Sequence, residues 1–367
     1  MRRRSGEQKF LELVLRVAPE CGVTRICDIS RLDRFGLDVI QVVRPWSRAL
    51  SVHQGKGWSR TAALLSGVCE AIESHHAETF RRSDIVAPHH ALSLASAPPM
   101  ECFLNASASA DAAGDVSISW VAAQTRDPAR MILVPEDFVS LDFTRGLPGP
   151  FDRTSTGLST GSTIEEAVYY GLLEIIERDA VGEWVRLSPV ERMLAAVDLV
   201  PPPELAQRIE QLRHHDIETR LFRVPALLDT PTVICTIRDR TNMRSGYHRL
   251  FGSACHPDAA IAAAGALAEA LQSRLTLIAG AREDIDAALY ATLATNGEMA
   301  WPGRPPIDIA SVQGGVDDLA GLDVGLAGLG LGPVAWVDLT LPDIAVPVVK
   351  AILPGAGSHA RPRLRPW

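Results

Sequence analysis

Two stretches of this sequence set a pair of glutamates three residues apart behind similarly spaced glycines. The first is Gly57, Gly67 and Glu70-Ala-Ile-Glu73; the second is Gly161, Gly171 and Glu174-Ile-Ile-Glu177. In both, one glycine stands thirteen residues before the first glutamate and another stands three before it. A looser third copy, Gly252 and Gly265 with Glu269-Ala-Leu-Gln272, turns the second glutamate into glutamine. On a helix, i, i+3 spacing puts both carboxylates on one face. Leu172, Leu173, Ile175 and Ile176 surround the second pair, so packing such helices together draws carboxylates out of water. Clustered carboxylates do not all stay ionised without counter-charge. A hard divalent cation supplies it, and Mg²⁺ shares carboxylates with water and phosphate oxygens. The glycine-rich stretch before each helix is expected to bring backbone N–H groups to an anion at the helix N-terminus. The pattern predicts a nucleoside triphosphate held through Mg²⁺ between opposed acidic helices.

Taken singly, these features have ordinary explanations. Glu174 and Arg178 are an i, i+4 pair of the kind that adds about 0.2–0.5 kcal/mol to a helix surface. Ser162-Thr-Ile-Glu165 fits a capping box. Lys56, between two glycines, reads either as a flexible surface residue or as a phosphate contact ahead of the first acidic helix. The repetition favours the functional reading. Three common nucleotide sites are excluded. There is no GxxxxGK[ST] and no protein-kinase signature, and Gly328-Leu-Gly330-Leu-Gly332 lacks GxGxxG spacing and a following helical pattern. Cys255-His256, Asp338 and the carboxylate of Trp367 are lesser candidates, read respectively as buried thiol, turn residue and exposed tail as readily as chemistry.

The chain has 367 residues, 47% of them hydrophobic, and a net charge of −8, which suggests neither intrinsic disorder nor a nucleic-acid partner. Of 36 basic residues only three are lysines: Lys9, Lys56 and Lys350. No apolar run is read as approaching the ~18–20 residues of a membrane span. Residues 9–16 carry charges where a signal peptide needs an apolar core, so a cytoplasmic protein is expected. Six cysteines without CxxC read as reduced, mostly buried thiols. The histidine doublets at 75–76, 89–90 and 214–215 match no zinc spacing.

Helical and strand patterns alternate, which predicts an α+β fold in one continuous domain with internally repeated strand–helix units. Helices are expected over about 6–18, 59–75, 163–184 and 257–279. Strands are expected near 23–28, 40–43, 117–122, 130–135, 219–224, 232–238, 334–338 and 346–352. Residues 95–115 and 146–150 read as loops. The organisation expected is an N-terminal helical segment over 1–19, a catalytic domain over 20–355, and an Arg/Pro-rich tail over 356–367.

At these residues the sequence resembles the YcaO family. The resemblance runs from about residue 20 to 355 and is carried by five stretches. These are Ser51-Val-His-Gln-Gly-Lys-Gly57, the run from Ser66 through Glu73, Gly157 through Asp179, Gly252 through Asp284, and Val334 through Gly355. Its most specific part is Glu165-Glu-Ala-Val-Tyr-Tyr-Gly-Leu-Leu-Glu-Ile-Ile-Glu-Arg-Asp179. The resemblance implies a YcaO-like fold with acidic helices around a nucleotide site, and ATP- and Mg²⁺-dependent activation of a peptide backbone amide. A nucleophile adds to the amide carbon, the oxyanion is phosphorylated, and loss of phosphate leaves an azoline from a Cys, Ser or Thr side chain, or a thioamide from external sulfide. By position, Glu70, Glu73, Glu174 and Glu177 resemble the family's Mg²⁺ ligands, and Glu70, Glu174, Glu177 and Arg178 its catalytic set. Lys56, Ser66, Ser162, Glu166, Arg178, Gln272 and Arg274 resemble nucleotide contacts.

Ser74, Tyr170 and Ser162 depart from the residues the family often has, and the tail Arg361-Pro-Arg-Leu-Arg-Pro-Trp367 lacks a PxPxP ending. With no added leader-binding domain legible, the pattern is most like stand-alone members that act beside a TfuA-like protein, which implies thioamide formation on a peptide or protein substrate. A homodimer is compatible with the amount of apolar strand. An azoline-forming cyclodehydratase, a non-catalytic peptide-binding scaffold and an accessory factor for ribosomal-protein modification are the alternatives.

Overall fold

A computed structural model of the chain describes residues 6–93, 96–145, 149–241, 249–285 and 304–356. Its strands are β1 (Arg25–Asp28), β2 (Asp38–Val43), β3 (Val52–Gly57), β4 (Ile85–Ala87), β5 (Ile118–Thr125), β6 (Met131–Pro135), β7 (Leu158–Thr160), β8 (Val197–Val200), β9 (Ile217–Val224), β10 (Thr232–Asp239), β11 (Arg249–Cys255), β12 (Ile307–Asp308), β13 (Ala335–Asp338) and β14 (Val348–Ile352). They form three sheets. One is the antiparallel meander β1-β2-β3, another runs β4-β5-β13-β14-β7 with β6 beside β5, and the third runs β11-β10-β9-β8-β12. All pairings are antiparallel except β12 with β8.

The helices are α1 (Glu7–Val17), α2 (Arg60–Thr79), α3 (Ala110–Gly114), α4 (Glu136–Val139), α5 (Ile164–Arg186), α6 (Pro189–Ala195), α7 (Pro203–His214) and α8 (Ala259–Ala279), followed later by Leu319–Gly328. The long ones fall where the periodicity predicts, and α2 continues one turn further than expected. Residues within the expected loop 95–115 instead fold a 3₁₀ turn at Met100–Cys102 and α3. Met1–Arg4, Gly146–Leu147–Pro148 and the tail with Trp367 lie outside the described residues.

The glycine-rich stretches before the three long helices are strands, which corrects the expected anion cradles. α2 packs back on β3, α5 on β7 and β14, and α8 on β11 and β10. Each helix starts at a side-chain cap that satisfies an otherwise unpaired N–H. Ser59 accepts from Ala62, Thr163 from Glu166, and Asp258 from Ala260 and Ile261. The glycines let strand and helix backbones nearly touch. A Cβ on Gly55 would lie 2.0 Å from the Gly67 nitrogen, and one on Gly252 would lie 2.3 Å from the Ala270 nitrogen. Close contact of this kind anchors each helix by its own backbone, so the helix face carrying the glutamates is fixed in rotation.

α8 also corrects the reading that no apolar segment reaches membrane-spanning length: by length and composition it does. In this fold it is a core helix. Ala262, Ala263, Ala266, Leu267 and Leu271 are buried in a cluster with Val233, Cys235 and Ile237 of β10.

Overpacking at the strand–helix contact sets the first prediction. Gly55→Ala should destabilise the protein by about 3 kcal/mol, at the upper end for an added methyl group, because the atoms in the way are backbone. Gly114→Ala, where a Cβ meets nothing within 4 Å, should stay within about 0.5 kcal/mol of wild type. Urea midpoints measure both, and equal midpoints would contradict the close-approach role.

Candidate active site

α2, α5 and α8 bring their polar faces together around a cavity of about 1250 Å³. Ser66, Glu70 and Glu73 reach it from α2, Glu174, Glu177 and Arg178 from α5, Glu269 and Gln272 from α8, and Lys56 from β3. The two ExxE pairs therefore share one cavity, as their spacing predicts. Each glutamate has a local anchor. Glu73 Oε1 accepts the Thr160 N–H at 2.8 Å, and Glu174 Oε2 accepts the Gly157 N–H at 3.1 Å. Glu177 Oε1 accepts the Ser253 hydroxyl at 2.7 Å. Glu70 Oε1 lies 3.6 Å from His53 Nδ1. β7, which leads into α5, thus donates to Glu73 of α2, and β11, which leads into α8, donates to Glu177 of α5, while Gly157 just before β7 serves Glu174 of α5.

Counter-charge is scarce. Arg178 Nε stands 3.6 Å from Glu174 Oε1, and Lys56 Nζ 3.3 Å from Glu269 Oε2. Glu177 has a neutral hydroxyl as a hydrogen-bond partner, negative neighbours in Glu269 and Glu174, and the Arg178 cation opposing them. Burial, and then the Glu269 charge, push Glu177 up to about 7. Burial also raises Glu174, against the pull of Arg178 and the Gly157 N–H. Glu174 keeps about a quarter of its side-chain surface open (28%), so the group meets a cavity from deep within the protein.

Not every predicted contact arrives here. Arg274 lies off the cavity lining, in a buried network with Asp33 Oδ2 at 2.7 Å and Asp239 Oδ2 at 2.9 Å, and over the Phe35 ring. Two helical residues beyond Gln272 is about 200° of rotation, which turns Arg274 to the opposite face. Gln272 itself lines the cavity and donates to the Gln54 carbonyl at 2.6 Å. Ser162 and Glu166 are also outside the lining. Ser162 donates through both N–H and hydroxyl to Glu166 Oε2, and the cap of α5 is Thr163, one residue later than the expected capping box. Burial pushes the Cys255 thiol up to about 12, and His256 Nδ1 accepts the Asp258 N–H, so this pair is structural. Asp338 accepts the Thr340 N–H in a turn.

Two residues at or behind the site, Arg153 and Lys350, carried no motif of their own. Lys350 on β14 is buried at 1% exposure, and its ammonium donates to the Thr154 carbonyl at 2.6 Å on the segment leading to Gly157. Burial lowers it to about 8 while Glu174 opposes that shift. The scarcity of lysine was the signal available for it. Lys350 lies behind the cavity lining, whereas Arg153, Arg282 and Asp284 are part of it, the last two within the Gly252–Asp284 stretch marked in the sequence.

Comparison with known proteins decides the family. Residues 54–357 match the model of the YcaO cyclodehydratases, described as ATP- and Mg²⁺-binding. The chain belongs to the YcaO family. It is 29% identical over 91% of its length to an uncharacterized protein "in tfuA 3′ region" of Rhizobium leguminosarum bv. trifolii, covering 83% of that protein. It is 31% identical over 91% of its length to an uncharacterized protein of Methanothermobacter thermautotrophicus, covering 89% of that protein. The fold superimposes on YcaO from Methanopyrus kandleri bound with AMPPCP and Mg²⁺. The TM-score is 0.74 at 23% identity, over 96% of this chain and 92% of that one. A heterocyclase in complex with substrate and cofactor gives a TM-score of 0.78 at 19% identity, over 95% of this chain and 52% of that one.

The donor set fits a YcaO protein's ATP and Mg²⁺. Among the described residues no three acidic, histidine or cysteine side chains close into a ready-made metal cage. Mg²⁺ shares carboxylates with water and phosphate oxygens, and Glu70, Glu73, Glu174 and Glu177 line one cavity from which they could do so. The pull toward a proton at Glu177, set by burial and the Glu269 charge, marks where positive charge is wanted.

A pH prediction follows from that proton. Between the ordinary value of 4.5 and about 7, the folded state keeps a proton on Glu177 that the unfolded chain has released. The contribution of Glu177 to stability is therefore fully present below 4.5 and is lost as pH rises to about 7. Glu177→Gln cannot ionise, so its stability relative to wild type should climb across that window and then level off. Paired denaturant titrations of the metal-free proteins measure this; a difference that stays flat with pH would contradict it.

Proposed function

We propose that this chain uses ATP and Mg²⁺ to activate a backbone amide of a peptide or protein, and that the product is a thioamide made with a TfuA-like partner that provides or delivers sulfur. The observation that carries the catalytic half of this reading is the meeting of both ExxE pairs in one cavity of a YcaO chain. Similarity to a protein in a tfuA 3′ region supports the partner.

In this reading Glu70, Glu73, Glu174 and Glu177 hold Mg²⁺, and Lys56, Ser66, Arg178 and Gln272 hold the nucleotide. Bound there, Mg²⁺-ATP supplies the phosphoryl group that converts an amide oxygen into a leaving group. The chain's own residues do the positioning. Arg178 and Lys56 direct cationic groups into a cavity with few others, where low dielectric makes each worth more than in water. The N–H groups of Gly157 and Thr160 pin two carboxylates before any ligand arrives, so little reorganisation is left for the reaction. The cavity of about 1250 Å³ exceeds the ~300–1,000 Å³ of a small-molecule pocket, which leaves room for a peptide segment beside the nucleotide. A scaffold role is disfavoured because it gives no reason to gather several buried acidic groups around so few cations.

Azoline formation is the second reading, favoured by the cyclodehydratase family model and the heterocyclase neighbours. Product mass separates the two. The purified chain, ATP, Mg²⁺, sulfide, a TfuA-like protein and candidate peptides encoded near its gene should give a peptide in which sulfur replaces one oxygen and the mass rises. A mass lowered by one water, without need of sulfide, would overturn the thioamide assignment in favour of the azoline.

A further inference from the structure

His53 of β3 forms part of the cavity wall, with a side chain 2% exposed. Its ring stands between two charged groups: Nε2 is 3.4 Å from Arg44 Nη1, and Nδ1 is 3.6 Å from Glu70 Oε1. Arg44 is buried, and each of its five N–H groups has a partner. Nε donates to the Cys21 carbonyl at 2.8 Å. Nη1 serves Glu78 Oε1 at 3.2 Å and His53 Nε2, while Nη2 serves Glu78 Oε2 at 2.9 Å and His75 Nδ1 at 3.3 Å. Glu78 is itself 2% exposed and also accepts the Ser47 hydroxyl at 2.5 Å.

A guanidinium only donates. His53 Nε2 must therefore carry a lone pair toward Arg44, which leaves the ring N–H on Nδ1, facing Glu70. Glu70 needs such a partner more than the other three glutamates do. Its side chain is 44% exposed, and ordering its rotamer-rich stem costs entropy that a fixed partner offsets. Arg282, which also lies close enough for its charge to be felt at Glu70, is engaged through two nitrogens by Asp284 at 3.0 and 2.6 Å.

We propose that His53 is a positioning residue for Glu70: the buried Glu78–Arg44–His53 chain fixes an N–H toward Glu70 Oε1 and holds that carboxylate in the cavity, ready for Mg²⁺. The 3.6 Å separation is an electrostatic contact longer than a formed hydrogen bond, and contacts of this kind tighten once ligand is in place. The inference rests on the reading of Glu70 as a metal ligand and adds to it the device that orients the ligand. Supporting residues of this kind typically change metal affinity ~10–100-fold when lost.

Two measurements test it. Long-range ¹H–¹⁵N spectra of the metal-free protein should show His53 as the Nδ1–H tautomer, and an Nε2–H tautomer would overturn the proposal even if every variant misfolds. Mg²⁺ is then titrated at fixed ATP into wild type, His53→Asn, His53→Gln and Glu70→Gln. Asparagine keeps a donor where Nδ1 was, whereas glutamine keeps only the contact toward Arg44. His53→Gln should weaken Mg²⁺ by ~10-fold or more, with His53→Asn close to wild type. A His53→Gln protein with wild-type Mg²⁺ affinity, beside a weakened Glu70→Gln, would overturn the inference alone. An unweakened Glu70→Gln would overturn the metal assignment and the inference with it.

Discussion

Glu174 and Glu177 sit one helical turn apart on α5, with Glu269 of α8 close to the second of them and Arg178 the nearest cation on the same helix. Bringing these groups together opposes folding, since burial and like charge both disfavour their ionised forms. The protein answers with backbone N–H groups, a hydroxyl and few cations, and leaves Glu177 holding a proton near neutrality. A core of aliphatic side chains would be easier to fold. The arrangement makes physical sense as half of a complex whose other half is a divalent cation and a polyphosphate.

The architecture exists to hold that arrangement still. In each long helix a capped N-terminus follows at once on an antiparallel strand, and the helix lies back on that strand at backbone contact through glycine. This sets both the height and the rotation of the acidic face. The same strands contribute to the site directly. β3 carries His53 and Lys56, β7 offers the Thr160 N–H, and β11 the Ser253 hydroxyl. Behind them, Lys350 grips the segment before Gly157, and Arg44 with Glu78 backs the β3 wall. Buried ion pairs such as Arg44–Glu78 and Arg274 with Asp33 and Asp239 contribute little net stability against apolar packing, and their value here is fixed geometry.

Helix positions and the two ExxE faces were legible because both rest on local periodicity, which survives folding when a helix is long. The meaning of the glycines was not. A glycine before a helix serves an anion or a backbone contact equally well, and only the strand pairing of β3 and β11 shows which. Ser162, Glu166 and Arg274 illustrate a second limit. Sequence spacing places a residue near a site, while one or two positions along a helix turn its side chain to another face, as Arg274 shows against Gln272. Lys350 and the Arg44–Glu78 pair were hidden for a third reason: their partners are far away in the chain and no motif links them.

Calorimetric titration of ATP into the purified chain, with and without Mg²⁺, tests the central claim most directly, alongside the Glu174→Gln/Glu177→Gln double variant. The account predicts binding that requires Mg²⁺ and disappears in the double variant while its fold, read by circular dichroism, is retained. Binding of equal strength in the folded double variant would contradict the assignment of these carboxylates to the metal–nucleotide site.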